Sequence, residues 1–174
     1  MVGIGAIFTL ARFSEAFLVL RAQQGGMTIS LVPLVMVAMN LIYAVSAYPF
    51  GKLSDSMSHT KLLSLGLVVL IAADVVLASS NHWAVVLCGV ALWGIHMGIT
   101  QGLLATMVAN TAPEDLRDTA YGFFNLMSGL AMLISSVLAG LLWDKLGASC
   151  TFYAGAIFCV IALLGLIWAS NLSK

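Results

Sequence analysis

Apolar runs of roughly twenty residues recur along the whole of this chain, separated by short polar or turn-forming breaks. No other feature constrains the fold as tightly, because about twenty helical residues rising 1.5 Å each cross a hydrocarbon layer of ~30 Å. Within such a layer each backbone polar group must be satisfied by its own segment, which favours helices. Composition points the same way: 61% of the 174 residues are hydrophobic and 8% are charged, whereas a soluble domain is about a quarter charged. The chain is therefore predicted to be an all-α membrane protein, a single six-transmembrane-helix bundle over 1–174. The spans are placed at about 3–21, 28–49, 61–80, 83–107, 118–142 and 148–170.

Turn chemistry marks the breaks. Gln23-Gln24-Gly25-Gly26 separates the first two spans, and Pro49 followed by Gly51 is expected to end the second, since proline removes a donor and disfavours helix just before it. The later breaks are Ser79-Ser80-Asn81-His82, Thr111-Ala112-Pro113-Glu114 and Asp144-Lys145-Leu146-Gly147. Connections this short make sequential helices antiparallel. Lys52, Lys61, Arg117 and Lys174 then fall on one side, with Arg21 and Lys145 on the other. Basic residues accumulate inside, so the C-terminus and the loop around Asp55 are expected to be cytoplasmic. Trp83 and Trp143 sit near span ends, where indole rings favour the interface.

Several classes of function find no support. Net charge is zero at pH 7, which provides no basic field for nucleic acid and no acidic tail for a cationic partner. Cys88, Cys150 and Cys159 have no C-x-x-C spacing and no histidine at ligand distance, so they read as small packing residues; neither a metal nor a cofactor is expected. The first apolar run lacks a cleavage pattern leading into a polar mature chain and is read as structure. An enzyme is not expected either: there is no H-E-x-x-H or nucleotide loop, and for an intramembrane serine protease His59 falls in a loop, His82 at an interface, and His96 has no G-x-S-x-G elbow near it.

The polar residues inside the spans carry the functional signal, because a charge at midspan costs a few kcal/mol and needs a partner or water. Arg12 and Glu15 lie three apart in the first span, on one helical face. They are either a self-paired structural bridge or a substrate and proton site with Glu15 titrating. Asn40 and Tyr43 share a face of the second span, and Tyr121, Asn125, Ser128 and Ser135 form a stripe on the fifth. These groups either bond helix to helix or line an aqueous path. The fourth span has a ladder of Gly94, Gly98 and Gly102, with Gln101 near it and His96 and Thr100 on roughly the opposite face. One face is expected to pack and the other to open. Asp74 in the third span has no base within one turn, while the sixth span is uncharged from Cys150 to Ala169, as expected of a helix facing mainly lipid.

Gly51-Lys52-Leu53-Ser54-Asp55, continued by His59 and Lys61, resembles the G-x-L-[AS]-D loop of the major facilitator superfamily. Pro113-Glu114-Asp115-Leu116-Arg117-Asp118-Thr119-Ala120-Tyr121-Gly122 is similar to that family's P-E-x-x-R-G-T-A-x-G segment. Asp118 stands where glycine is usual and is expected to cap the fifth helix. The segment Ala11 to Ala22 is similar to a seventh helix of bacterial members, so the resemblance covers the chain as helices seven to twelve.

This resemblance implies a C-terminal half built from two inverted three-helix repeats, working by alternating access around a midplane site. It implies that the first, second, fourth and fifth helices line the cavity, with the third and sixth outside. Gly51, Leu53, Asp55, Lys61 and Arg117 would form a cytoplasmic gating motif. The expected function is proton-coupled solute transport in a bacterial inner membrane. The expected partners are lipid, a small solute and either an N-terminal half or a second copy. The competing expectation is a truncated, non-transporting fragment or an assembly partner.

Overall fold

The computed structural model describes residues 12–172, with side chains from 12 to 170. Among the described residues six α-helices follow one another: α1 (Ala16–Gln24), α2 (Pro33–Ser54), α3 (His59–Ser79), α4 (Trp83–Thr111), α5 (Arg117–Leu146) and α6 (Ala148–Leu172). A 3-10 turn, Glu114–Leu116, leads into α5. The last five helices are each long and apolar enough to cross a membrane. Residues 3–11 of the expected first span lie outside the described residues.

Three local expectations are corrected. Arg12 to Ser14 is not helical and Glu15 lies in a turn, so the Arg12–Glu15 pair does not share a helical face. Tertiary contacts win over local propensity there: the Ser14 amide donates to Ser136 Oγ on α5 at 3.1 Å. Phe13 is simultaneously buried against Phe17, Trp93 and Phe152, with ring centroids 5.3–5.6 Å apart. Pro49 does not end α2, which continues to Ser54. Proline leaves the Val45 carbonyl without an amide, but Phe50 and Leu53 beyond it pack on the core and hold the last turn to the bundle. Asp118 does not cap α5, because the 3-10 turn closed by Leu116 N–H to Pro113 O at 3.0 Å starts the helix at Arg117. Asp118 falls in the first turn instead, where its charge still complements the helix dipole.

Helix α4 is the centre of the bundle. Gly94 faces the α2 backbone so closely that a Cβ there would lie 2.7 Å from Met39 O. A Cβ on Gly98 would overlap the Ser46 side chain and lie 3.1 Å from Ala47 N. On another face, Gly89 receives Leu77 of α3, and Gly66 of α3 receives Thr100 and Ile99 of α4. Small residues thus let three helix backbones approach on two faces of α4. Helix α6 packs on the far side of α3 through Thr151, Phe152 and Cys159, all buried, while Tyr153, Ile157, Phe158, Ile161 and Trp168 remain exposed. It is half a packing helix and half an outward one.

One end of the bundle is knotted together by Arg21. Its side chain is buried, with Nε donating to Leu77 O at 2.8 Å and Nη2 to Ser80 O at 3.1 Å and Ser149 Oγ at 3.3 Å. Carbonyls at a helix C-terminus lack helical donors, and a guanidinium both bonds them and complements the dipole. The Gly25 carbonyl accepts from Trp83 N–H at 3.0 Å, tying the α1–α2 loop to the start of α4. At the same end, Gly147 alone turns α5 into α6 with φ +87°, so the helix runs to Leu146 rather than stopping near 142.

The ladder on α4 is unequal, and this can be measured. Gly98→Ala should lower the unfolding midpoint in detergent, with an overpacking cost of about 1–3 kcal/mol. Gly102→Ala meets nothing within 4 Å and should leave stability unchanged or raise it slightly, since alanine favours helix by about 1 kcal/mol. Equal effects at both positions would contradict the α2–α4 packing.

Candidate functional site: a polar cleft between α4 and α5

Helices α4 and α5 meet along only part of their length, leaving a cleft of about 190 Å³. Gln101 and Leu104 contribute from α4; Phe124, Asn125, Ser128, Gly129 and Met132 contribute from α5; Arg12 reaches in from the segment before α1. The spacing explains the grouping. Positions 125, 128, 129 and 132 recur at three and four residues, on one side of a helix. One turn beyond Gln101 and Asn125, Tyr121 Oη donates to Ala105 O at 2.9 Å and joins the helices. At the other end, the Ser14–Ser136 bond pins the Arg12 segment to α5.

The electrostatics of the cleft are simple. Neither α4 nor the part of α5 from Thr119 to Trp143 contains Asp, Glu, Lys or Arg. Arg12 is thus the one ionic side chain lining this cleft among the described residues. The ion pair expected between Arg12 and Glu15 is not formed; among the described residues the pair within 4.0 Å is the exposed Arg117–Glu114, at 3.8 Å. Gln101, Asn125 and Ser128 add neutral donors and acceptors.

The structure therefore gathers three residues singled out by sequence, Arg12, Gln101 and Asn125, and adds Ser128 from the same stripe. The others lie elsewhere. His96 and Thr100 do not open toward a cavity: they are fully buried between α4 and α3, with His96 Nδ1 2.8 Å from Gly66 O and Thr100 Oγ1 donating to His96 O. Asn40 is exposed on α2 and donates to its own helix at Met36 O, 2.8 Å away. Tyr43 packs partly buried on the core. Ser135 belongs to a second cavity, about 310 Å³, between α5 and α6, whose other walls include Phe13, Leu138, Thr151, Gly155 and Phe158.

At the loop end of α2, Leu53 packs on the core while Gly51, Asp55 and Lys61 are exposed. Arg117 stands at the start of α5, bridged to Glu114. Asp55 makes no ion pair among the described residues.

Two positions escaped sequence reasoning. Arg21 reads as a loop-side charge by spacing, yet it is buried among the α3 carbonyls. Asp74 has its partner surface on α6: Oδ2 accepts from the Cys159 thiol at 4.0 Å and would contact a Cβ at Gly155 at 2.8 Å. The available signal was the run of small residues Ala154, Gly155 and Ala156 on an otherwise bulky helix.

These features define an integral, multi-pass α-helical membrane protein with a polar cleft set among its spans. The chain belongs to the major facilitator superfamily, whose sequence profile matches residues 1–173. It is 33% identical over 171 residues to an uncharacterized MFS-type transporter of Methanocaldococcus jannaschii, a match covering 95% of this chain and 43% of that protein. It is 30% identical over 174 residues to the inner membrane transport protein YajR of Escherichia coli, covering 95% of this chain and 37% of that protein. A second MFS-type transporter of M. jannaschii is 24% identical over 146 residues, covering 84% of this chain and 38% of that protein. The chain thus spans well under half the length of these relatives.

The cleft makes an accessibility prediction. With Cys88, Cys150 and Cys159 replaced by alanine, Asn125→Cys should react with a water-soluble thiol reagent in native membranes. Thr100→Cys, between α3 and α4, should stay unreactive until the protein is denatured. The reverse order would place the aqueous path on the other face of α4.

Proposed function

We propose that this chain forms one six-helix half of a secondary solute transporter working by alternating access, with the α4–α5 cleft as its solute-facing surface. The observation that carries this reading is the cleft itself: a cation and three neutral polar side chains gathered in a bundle of apolar spans. Lipid satisfies none of these groups, so they call for water, a solute or a facing protein surface. Family membership supports the same reading, since the curated relatives are named as transporters. The apolar faces of α2 and α5, with Leu34, Val37, Leu41 and Val45 on one and Phe123, Leu126, Leu130 and Leu133 on the other, are open to lipid or to a second six-helix half. The chain should insert alone but move solute only when joined to that half. Vesicles holding this chain as a demonstrated monomer should show no flux, whereas flux by the monomer would overturn the half-transporter reading.

Coupling to protons is assigned to Glu15, the carboxylate in the segment that brings Arg12 to the cleft. Glu15 acts on Arg12 across space without touching it: its negative charge weakens the Arg12 field in the cleft, and a proton on Glu15 restores that field for an anionic or polar solute. In the assembled transporter, Glu15→Gln should leave membrane insertion intact and flatten the pH dependence of uptake. A wild-type pH profile in that variant would remove Glu15 from the mechanism.

The membrane is the inner membrane of a bacterium in this reading, consistent with the name of the E. coli relative. Lys52, Lys61 and Arg117 gather at the end that carries the α2–α3 and α4–α5 connections, and this basic bias supports a cytoplasmic position for that end. A reporter active only in the periplasm should be silent when fused at Asp55 and active when fused at Asn81. The opposite pattern would reverse the orientation.

A further inference from the structure

We infer that the α4–α5 cleft binds a small organic monoanion, with Arg12 meeting a carboxylate group; this rests on the reading of the cleft as solute-facing. The charge count selects the sign. Arg12 lines the cleft, and no acid does so among the described residues. The groups that face it from the neighbouring elements are Gln101 on α4 and Asn125 and Ser128 on α5, all uncharged. His96, the titratable residue on α4, feels the Arg12 charge but lies outside the cleft lining, buried with Nδ1 2.8 Å from Gly66 O of α3. Glu15 lies three residues along the same segment, outside the lining; it interacts with Arg12 through space but makes no ion-pair contact with it, which leaves the guanidinium donors open to the cleft. An arginine this placed, beside a low-dielectric bundle and without a counter-ion in contact, favours an anion.

The number of charges selects the class. One guanidinium balances one negative charge, and a dianion would bring a second, uncompensated charge into the same low-dielectric site. A guanidinium presents parallel N–H donors that match the two oxygens of a carboxylate. The amides of Gln101 and Asn125 and the hydroxyl of Ser128 supply further donors. Leu104, Phe124 and Met132 make the rest of the wall apolar, which suits a short hydrocarbon body on that carboxylate. A volume of about 190 Å³ limits the body to a small one.

The test uses Ser128→Cys in the chain with Cys88, Cys150 and Cys159 replaced by alanine. Two methanethiosulfonate reagents of similar size are compared, one ending in a sulfonate and the other in a trimethylammonium. The anionic reagent should react faster by roughly tenfold relative to its rate on a free thiol, given a local potential of a few kT. Arg12→Gln should abolish that preference and Arg12→Lys should retain part of it, both checked for monodispersity in detergent. Butyrate should slow a neutral thiol reagent at this position, and butylammonium should not. Equal rates for the two charged reagents, a preference for the cationic one, or protection by butylammonium would overturn the anion assignment while leaving an aqueous cleft in place. A cysteine at 128 that reacts with no reagent would remove the cleft and the proposal together.

Discussion

Close approach of two other backbones to α4 is the constraint on which the bundle depends. In a bilayer, burial of apolar side chains gives little net drive between helices, because lipid tails are as apolar as leucine. Association then rests on contact area, and contact area rests on how near the helix axes can come. Gly94 and Gly98 let α2 reach the α4 main chain, while Gly89 and Gly66 let α3 and α4 exchange side chains. Trp93, fully buried, fills the space against Phe13 on a further face. Once α2 and α3 are seated in this way, the face of α4 that carries Gln101 is left for α5, which touches it at Tyr121 and stands off above, and the cleft results.

Buried polar groups are handled by two different means. Arg21 is satisfied by carbonyls that any helix end leaves orphaned, so a cation and a helix C-terminus each answer the other's need. Its contact with Ser149 carries the same guanidinium across to α6, so that α1, α3 and α6 share one anchor. Asp74 is treated otherwise: it is enclosed between α3 and α6, with Gly155 leaving room for the carboxylate. The cleft residues form a third case, since Arg12, Gln101 and Asn125 face the opening rather than being closed over by their neighbours.

The bulk of the architecture was legible in the chain. Span length and the scarcity of charge required a helical membrane bundle, and Gly51 to Asp55 with Pro113 to Arg117 pointed to the family that the profile match then established. Periodicity also identified Asn125 and Ser128 as one face of α5, and the structure keeps them together. The expectations that failed were those that treated a local rule as decisive. Pro49 was overruled by the burial of Phe50 and Leu53, Asp118 by a preceding 3-10 turn, and the Arg12–Glu15 helix by Phe13 and Ser14 finding partners far along the chain.

Sequence alone determined the solvent of this protein, its helical class and its family, because hydrocarbon thickness and backbone hydrogen bonding translate directly into run length and charge content. Which polar faces turn toward one another was decided only in the tertiary structure. His96 and Thr100 occupy a helix face as polar as that of Gln101, yet the first two are sealed against Gly66 and the last lines the cleft. Helical periodicity fixes the angle between such residues but not the azimuth of the helix, and that rotation was set by where neighbouring backbones could approach most closely.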